Sequence, residues 1–234
     1  MKYHSLLDCN ASNKFKNHNY SVKDIFIPLK ERRDSLCIPY LNKGYTKDQI
    51  FVTKPFNEVI SITKNNIKDF KNIKVIIGNA IIRGINDLRV LRVDEISGNF
   101  DCYLNKLNKL TSLEGGPTIV NGYFSCSNNN LTSLEGSPVS VNGNFSCSNN
   151  KLTSLEGCLS TIGGNFNCSN NILTSLDGGP VIVNGFFDCS YNRLTSLEGT
   201  PSIIRGDFNI SNNLKKFTEK EVRHVIDIKG EVYV

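Results

Sequence analysis

Cysteine, histidine and carboxylate side chains bound the chemistry open to this chain of 234 residues. Five of its eight cysteines, Cys102, Cys126, Cys147, Cys168 and Cys189, recur at a near-constant step. Zinc needs four ligands converging on one point, usually from short-spaced pairs. One thiol per step makes a line instead, with neighbours about 4.8 Å apart if each step is a strand of one parallel sheet. Parallel side chains also lack disulfide geometry. The line therefore reads as buried reduced thiols acting as small hydrophobes, with Cys9, Cys37 and Cys158 outside it. Residues 1–10 offer only Leu6 and Leu7 as an apolar pair, far short of a secretory leader, so a reducing cytoplasm is expected.

The remaining chemistry is thin. His4, His18 and His224 have no cysteine or carboxylate at ligand or triad spacing, and the chain holds no phosphate-binding loop or nucleophile elbow. Glu114, Glu135, Glu156, Asp177 and Glu198 form a carboxylate column. Each follows a leucine and precedes a glycine, which places it at a solvated turn, where charge also blocks edge aggregation. Thr111, Thr132, Thr153, Thr174 and Thr195, with the serine that follows each, form a matching hydroxyl column; hydrogen bonding within the turns is expected for it, ordering of water or ice being the alternative. No metal and no cofactor is expected, and no enzyme activity.

Those residues must be positioned by a repeat. Segments starting at Gly122, Gly143, Gly164 and Gly185 align at a constant 21-residue step, and worn copies extend in both directions. Nine rungs follow, at positions 60, 80, 100, 124, 145, 166, 187, 208 and 232. Phe145 and Cys147 are two apart and face one side of a strand, while Asn144, Ser146 and Ser148 face the other. Leu152 and Leu155 continue the inward row past a turn. A rung is thus a closed loop with one side in parallel sheet and mostly turns and irregular loops elsewhere. One rung buries too few side chains to offset its chain entropy, so rungs must stack. The chain has 31 asparagines. Asn108, Asn129, Asn150, Asn171 and Asn192 sit where the chain leaves the strand, and their carboxamides are expected to bond the backbone at that bend.

Residues 58–234 are expected to form the solenoid, regular in 98–211 and degenerate in 58–97 and 212–234. Residues 1–57 form a small α/β N-terminal cap, the first 20 as a polar tail, with strand-like runs at 21–29 and 49–53. Thr218 and Glu221 make a capping box, predicting a short helix before a last strand at 230–234. Both ends are then closed and the chain complete. The net charge of +5 is uneven: residues 1–97 carry 17 basic against 10 acidic residues, and residues 98–211 carry 5 against 8. The basic residues are dispersed, with Arg32-Arg33 the only adjacent pair in 1–97, so a solvated surface is expected rather than a nucleic-acid stripe. No window approaches the apolar length of a membrane helix.

The segments Cys126-Ser127-Asn128-Asn129 and Leu131-Thr132-Ser133-Leu134-Glu135-Gly136, with Phe124 before and Pro138 after, resemble a short leucine-rich repeat of the 20 to 21 residue bacterial type. They are similar to repeats of phage and bacterial proteins. Phe and Cys replace the usual leucines, and Leu159 stands where proline is expected. The resemblance implies a right-handed leucine-rich-repeat solenoid that binds through the outward side of its sheet, and implies no reaction. On that side Tyr103, Tyr123, Phe186 and Tyr191 depart from the repeat toward aromatics, which concentrate interface energy. The expected contact set is Tyr103, Tyr123, Asn144, Asn165, Phe186, Asp188, Tyr191 and Asp207, taking a protein partner and no small-molecule substrate. The resemblance implies a phage-encoded factor in the host cytoplasm, acting on a host protein such as a defence component. A structural or adhesive virion component is the alternative, and an enzyme within residues 1–57 the remaining one. The chain is expected to be a monomer or weak homodimer.

Overall fold

The computed structural model describes residues 36–53, 59–103 and 109–234. The polar first 20 residues, the run at 21–29, Cys9, His4, His18 and Asn108 lie outside the described residues. Within them the chain winds into a parallel β-solenoid.

Nine short strands stack into the first sheet, each holding one of the nine expected rung positions: Val59–Thr63, Asn79–Arg83, Phe100–Asp101, Phe124–Ser125, Phe145–Ser146, Phe166–Asn167, Phe187–Asp188, Phe208–Asn209 and Val232–Tyr233. All neighbours are parallel and in register, with Phe145 beside Phe124 and Phe166. Six phenylalanines, from Phe100 to Phe208, form a continuous inner column with ring centroids 5.1 to 5.8 Å apart. Beside it Cys102, Cys126, Cys147, Cys168 and Cys189 are fully buried and unpaired by disulfides. Leu131, Leu134 and their counterparts complete one continuous core.

The irregular far side expected for each rung is corrected by a second parallel ladder. Ile119–Val120 and Ser140–Val141 extend a five-stranded sheet that starts at Ile50–Val52. Thr161–Ile162, Ile182–Val183, Ile203–Ile204 and Asp227–Ile228 form a four-stranded one. The buried proline at 117, 138, 180 or 201 fixes φ ahead of each of the described rungs that carry it. The residues that follow are mostly β-branched, the type that packs well on a pleated surface. The ladder breaks between Ser140–Val141 and Thr161–Ile162, in the rung where Leu159 replaces the proline and Gly163 the corner asparagine.

Asparagine holds the bends. The Asn171 side-chain nitrogen donates to the carbonyls of Cys147, Cys168 and Ser169, at 3.2, 3.0 and 3.3 Å, and its oxygen accepts from the Leu152 N–H at 3.1 Å. Asn129, Asn150, Asn192 and also Asn213 repeat this bond set in their own rungs. In the first rung the related bonds are made by Asn66: its nitrogen donates to the Ser61 carbonyl and its oxygen accepts from the Thr63 N–H.

Helix Ile38–Asn42 packs Tyr40 and the preceding Cys37 on Ile50, Val75 and Ile77 of the second ladder, and Lys43 pairs with the buried Glu95 at 2.7 Å. At the other end, helix Glu219–Val225 starts at the expected Thr218–Glu221 capping box. Its Arg223 donates to the carbonyls of Ile228 and Gly230, covering part of the last rung's edge.

Candidate functional site

The outward side of the nine-stranded sheet is built from two rows on each strand, one just before and one just after the inward phenylalanine. Between Asn99 and Asn212 the described residues of these rows, and of the bend that follows, include aspartates at 101, 188 and 207 and no lysine or arginine.

The row before the phenylalanine carries a run of side-chain hydrogen bonds from rung to rung. The side-chain oxygen of Asn79 accepts from the N–H of Asn99, and Asn99 accepts from Tyr123, at 2.8 and 2.9 Å. Asn144 accepts from Asn165 and Asn165 from Phe186, each at 2.8 Å, and Asp207 accepts from Glu231 at 2.9 Å. Asn144, Asn165 and Asp207 thus tie one rung to the next. The chain of bonds stops at Tyr123 and at Phe186, whose aromatic side chains place no amide oxygen over the following rung. Each interruption forgoes a hydrogen bond worth about 1 kcal/mol.

Tyr191 departs from the repeat in a different way. The residue at the bend has positive φ in each of five successive rungs: Asn128, Asn149, Asn170, Tyr191 and Asn212, with φ between 53 and 58°. Asparagine tolerates this left-handed conformation, whereas a bulky side chain there is an outlier. Tyr191 is 57% exposed, so no burial compensates the strain. Replacing Tyr191 by asparagine is accordingly expected to raise the unfolding free energy by about 1 kcal/mol. A chemical denaturation midpoint unchanged or lowered by this substitution would contradict the strain argument.

The expected contact residues fall into two groups. Tyr103, 44% exposed, and the half-buried Tyr123 flank Asp101, whose carboxylate accepts from the Tyr103 N–H at 2.8 Å. Burial and then the adjacent Asp101 charge raise the Tyr123 hydroxyl above its ordinary pKa. Three rungs beyond Tyr123, about 14 Å along the axis, the half-buried Phe186 and exposed Tyr191 share a rung with Asp188. The Asp188 carboxylate accepts from the N–H and hydroxyl of Ser190 at 3.0 and 2.6 Å. Asp101, absent from the expected contact set, belongs to the first group. Its sequence signal was an acid in a row otherwise dominated by serine and asparagine.

The other columns sort differently. The thiols of Cys126, Cys147, Cys168 and Cys189 are driven well above the ordinary range by burial, and that of Cys102 likewise. Cys158, expected apart from them, packs against the same core and is pushed up to about 12 by burial. Such thiols are poor nucleophiles. The hydroxyl column meets its expectation in its serines and not in its threonines: Ser112, Ser175 and Ser196 cap their turns, whereas all five threonines are exposed and none of their hydroxyls bonds to described protein groups. The reason is position, since the serine stands two residues before the N–H that needs an acceptor. A depression of about 280 Å³ lies at the break in the second ladder, lined by Val139, Leu159, Ser160 and Thr161 among others. Among the described residues no three His, Cys, Asp or Glu side chains are grouped to hold a metal ion, and no helix is long and apolar enough to cross a membrane.

Comparison of the chain with protein-family models, with curated proteins and with solved structures finds no match.

Proposed function

We propose that this chain is a non-catalytic scaffold that binds a protein partner through the outward side of its nine-stranded sheet. One observation carries the reading. At 123, 186 and 191 an aromatic residue stands where neighbouring rungs use asparagine for a structural task, and each replacement costs the fold something while leaving aromatic surface at least partly accessible. Strain and forgone bonds retained at accessible positions mark function more often than packing. The finer assignments rest on the sequence resemblance: a short leucine-rich type of repeat, in a phage-encoded factor that engages a host protein. The buried column of reduced thiols fits residence in a reducing cytoplasm.

The test restores the repeat instead of truncating it. A variant carrying Tyr123→Asn, Phe186→Asn and Tyr191→Asn regains the rung-to-rung acceptors and the relaxed bend, so it is expected to fold at least as stably as the parent. In affinity capture from host extract, proteins held by the parent and lost from this variant are the expected partners, with binding weakened at least 100-fold, a loss typical of removing interface hot spots. Equal retention by both forms would place the binding surface elsewhere.

A further inference from the structure

The two aromatic groups share a feature that the fold does not require. In the row after the inward phenylalanine, acids occur at Asp101 and Asp188, whereas Ser125, Ser146, Asn167 and Asn209 fill the intervening and following rungs. The structural task of that position is to accept from the N–H two residues on. Asp101 does so from Tyr103 and Asp188 from Ser190. Asn167 and Asn209 do the same from Ser169 and Ser211, at 2.9 and 3.1 Å. A carboxamide oxygen therefore suffices, and the negative charge at 101 and 188 is surplus to the fold. Each charge lies in a rung with an exposed tyrosine, Asp101 with Tyr103 and Asp188 with Tyr191.

We propose that Asp101 with Tyr103 and Tyr123, and Asp188 with Phe186 and Tyr191, are seats for two cationic side chains, arginine or lysine, presented by the partner protein about 19 Å apart. The spacing is four rungs of parallel sheet. A carboxylate that shares a stretch of surface with accessible aromatic side chains suits a guanidinium or ammonium group, which can gain an ion pair and a cation–π contact together. The rest of the face agrees in sign: its rows from Asn99 to Asn212 hold Asp207 as a third acid and no base among the described residues. Such a surface steers a basic partner and repels an acidic one. This inference rests on the proposed binding face and names what that face selects.

The test uses the full chain and synthetic peptides in Gly/Ser context with arginines at positions i and i+6, a separation of about 20 Å when extended. The control peptide has glutamine at both positions. Binding is followed by NMR titration at low ionic strength with the parent, Asp101→Asn, Asp188→Asn and the double variant. The arginine peptide is expected to shift resonances around both clusters, each single variant to weaken it about tenfold, and added salt to reduce the difference. Equal binding of the glutamine peptide, or undiminished binding by the double variant, overturns the proposal. If the asparagine-restored aromatic variant loses its captured partner while Asp101→Asn with Asp188→Asn retains it, the cationic seats fall and the binding face stands. If sedimentation shows a salt-sensitive dimer that the double variant abolishes, the occupant is the basic N-terminal half of a second copy, and a separate partner protein is overturned.

Discussion

Replacing Asn171 by leucine is expected to lower the unfolding free energy by about 4 kcal/mol, from the summed cost of leaving several buried groups unpaired. The residue is 7% exposed, and its side chain joins two rungs through four bonds: three from its nitrogen to the carbonyls of Cys147, Cys168 and Ser169, and one to its oxygen from the N–H of Leu152. Leucine is close in size, so the loss isolates hydrogen bonding from volume. Each orphaned buried group costs about 1 to 3 kcal/mol, and relaxation of the bend toward water recovers part of the sum. Asn171→Asp is expected to be at least as damaging, because it turns a donor aimed at three carbonyls into a negative acceptor. Urea titration of both variants checks this. A loss below 1 kcal/mol in Asn171→Leu, by that measurement, would mean that water replaces the amide and that the asparagine column is decorative.

Phe166→Ala is expected to cost about 3 to 5 kcal/mol, the range for deleting a buried aromatic ring. Phe166 is fully buried between Phe145 and Phe187, with centroids at 5.6 and 5.2 Å, so two ring pairs disappear with it. The location adds a second readout. Solenoid stability is a sum of rungs and of the interfaces between them, and a cavity in a middle rung weakens the coupling of the two halves. Residues near Phe124 and those near Phe208 should then exchange amide hydrogens with different opening free energies, whereas in the parent they are expected to open as a unit. A single cooperative transition with a midpoint near that of the parent would show that the column is not what couples the rungs. The chain itself carries Ala80 at the equivalent place in an early rung, buried within the longer strand Asn79–Arg83; the cost of a missing ring depends on how far the neighbours close the space.

Much of this architecture was legible because a rung writes the same physical requirements each time. Phe145, Cys147, Leu152 and Leu155 alternate or turn inward at offsets that recur, so their burial could be read without coordinates. The second ladder was less legible. Two-residue strands such as Ile182–Val183 are too short to show alternation, and a β-branched pair after proline is as compatible with a loop as with a sheet. The candidate site was half legible: the aromatic departures stand out against the repeat, but their consequences depend on neighbours in other rungs. Asn144, Asn165 and Asp207 were expected to face a partner, and their oxygens have a further task that one repeat does not show: they accept from Asn165, Phe186 and Glu231 in the following rungs.

The strand positions, the inward columns, the asparagine bends and the C-terminal capping box follow from the chain by itself, since they depend on residues within one repeat and on its period. Tertiary structure decided whatever depends on the stacking of one repeat on the next. It closed a second ladder and broke it at Leu159 and Gly163. It turned outward asparagines into ties between rungs and put Tyr191 in a left-handed bend that its neighbours fill with asparagine. It also brought the Tyr123 hydroxyl of one rung close to the charge of Asp101 in the rung before. The physical reason is one of distance: residues 21 or 24 apart in the chain lie about 4.8 Å apart in the sheet, and hydrogen bonds, strain and charge act across that second distance.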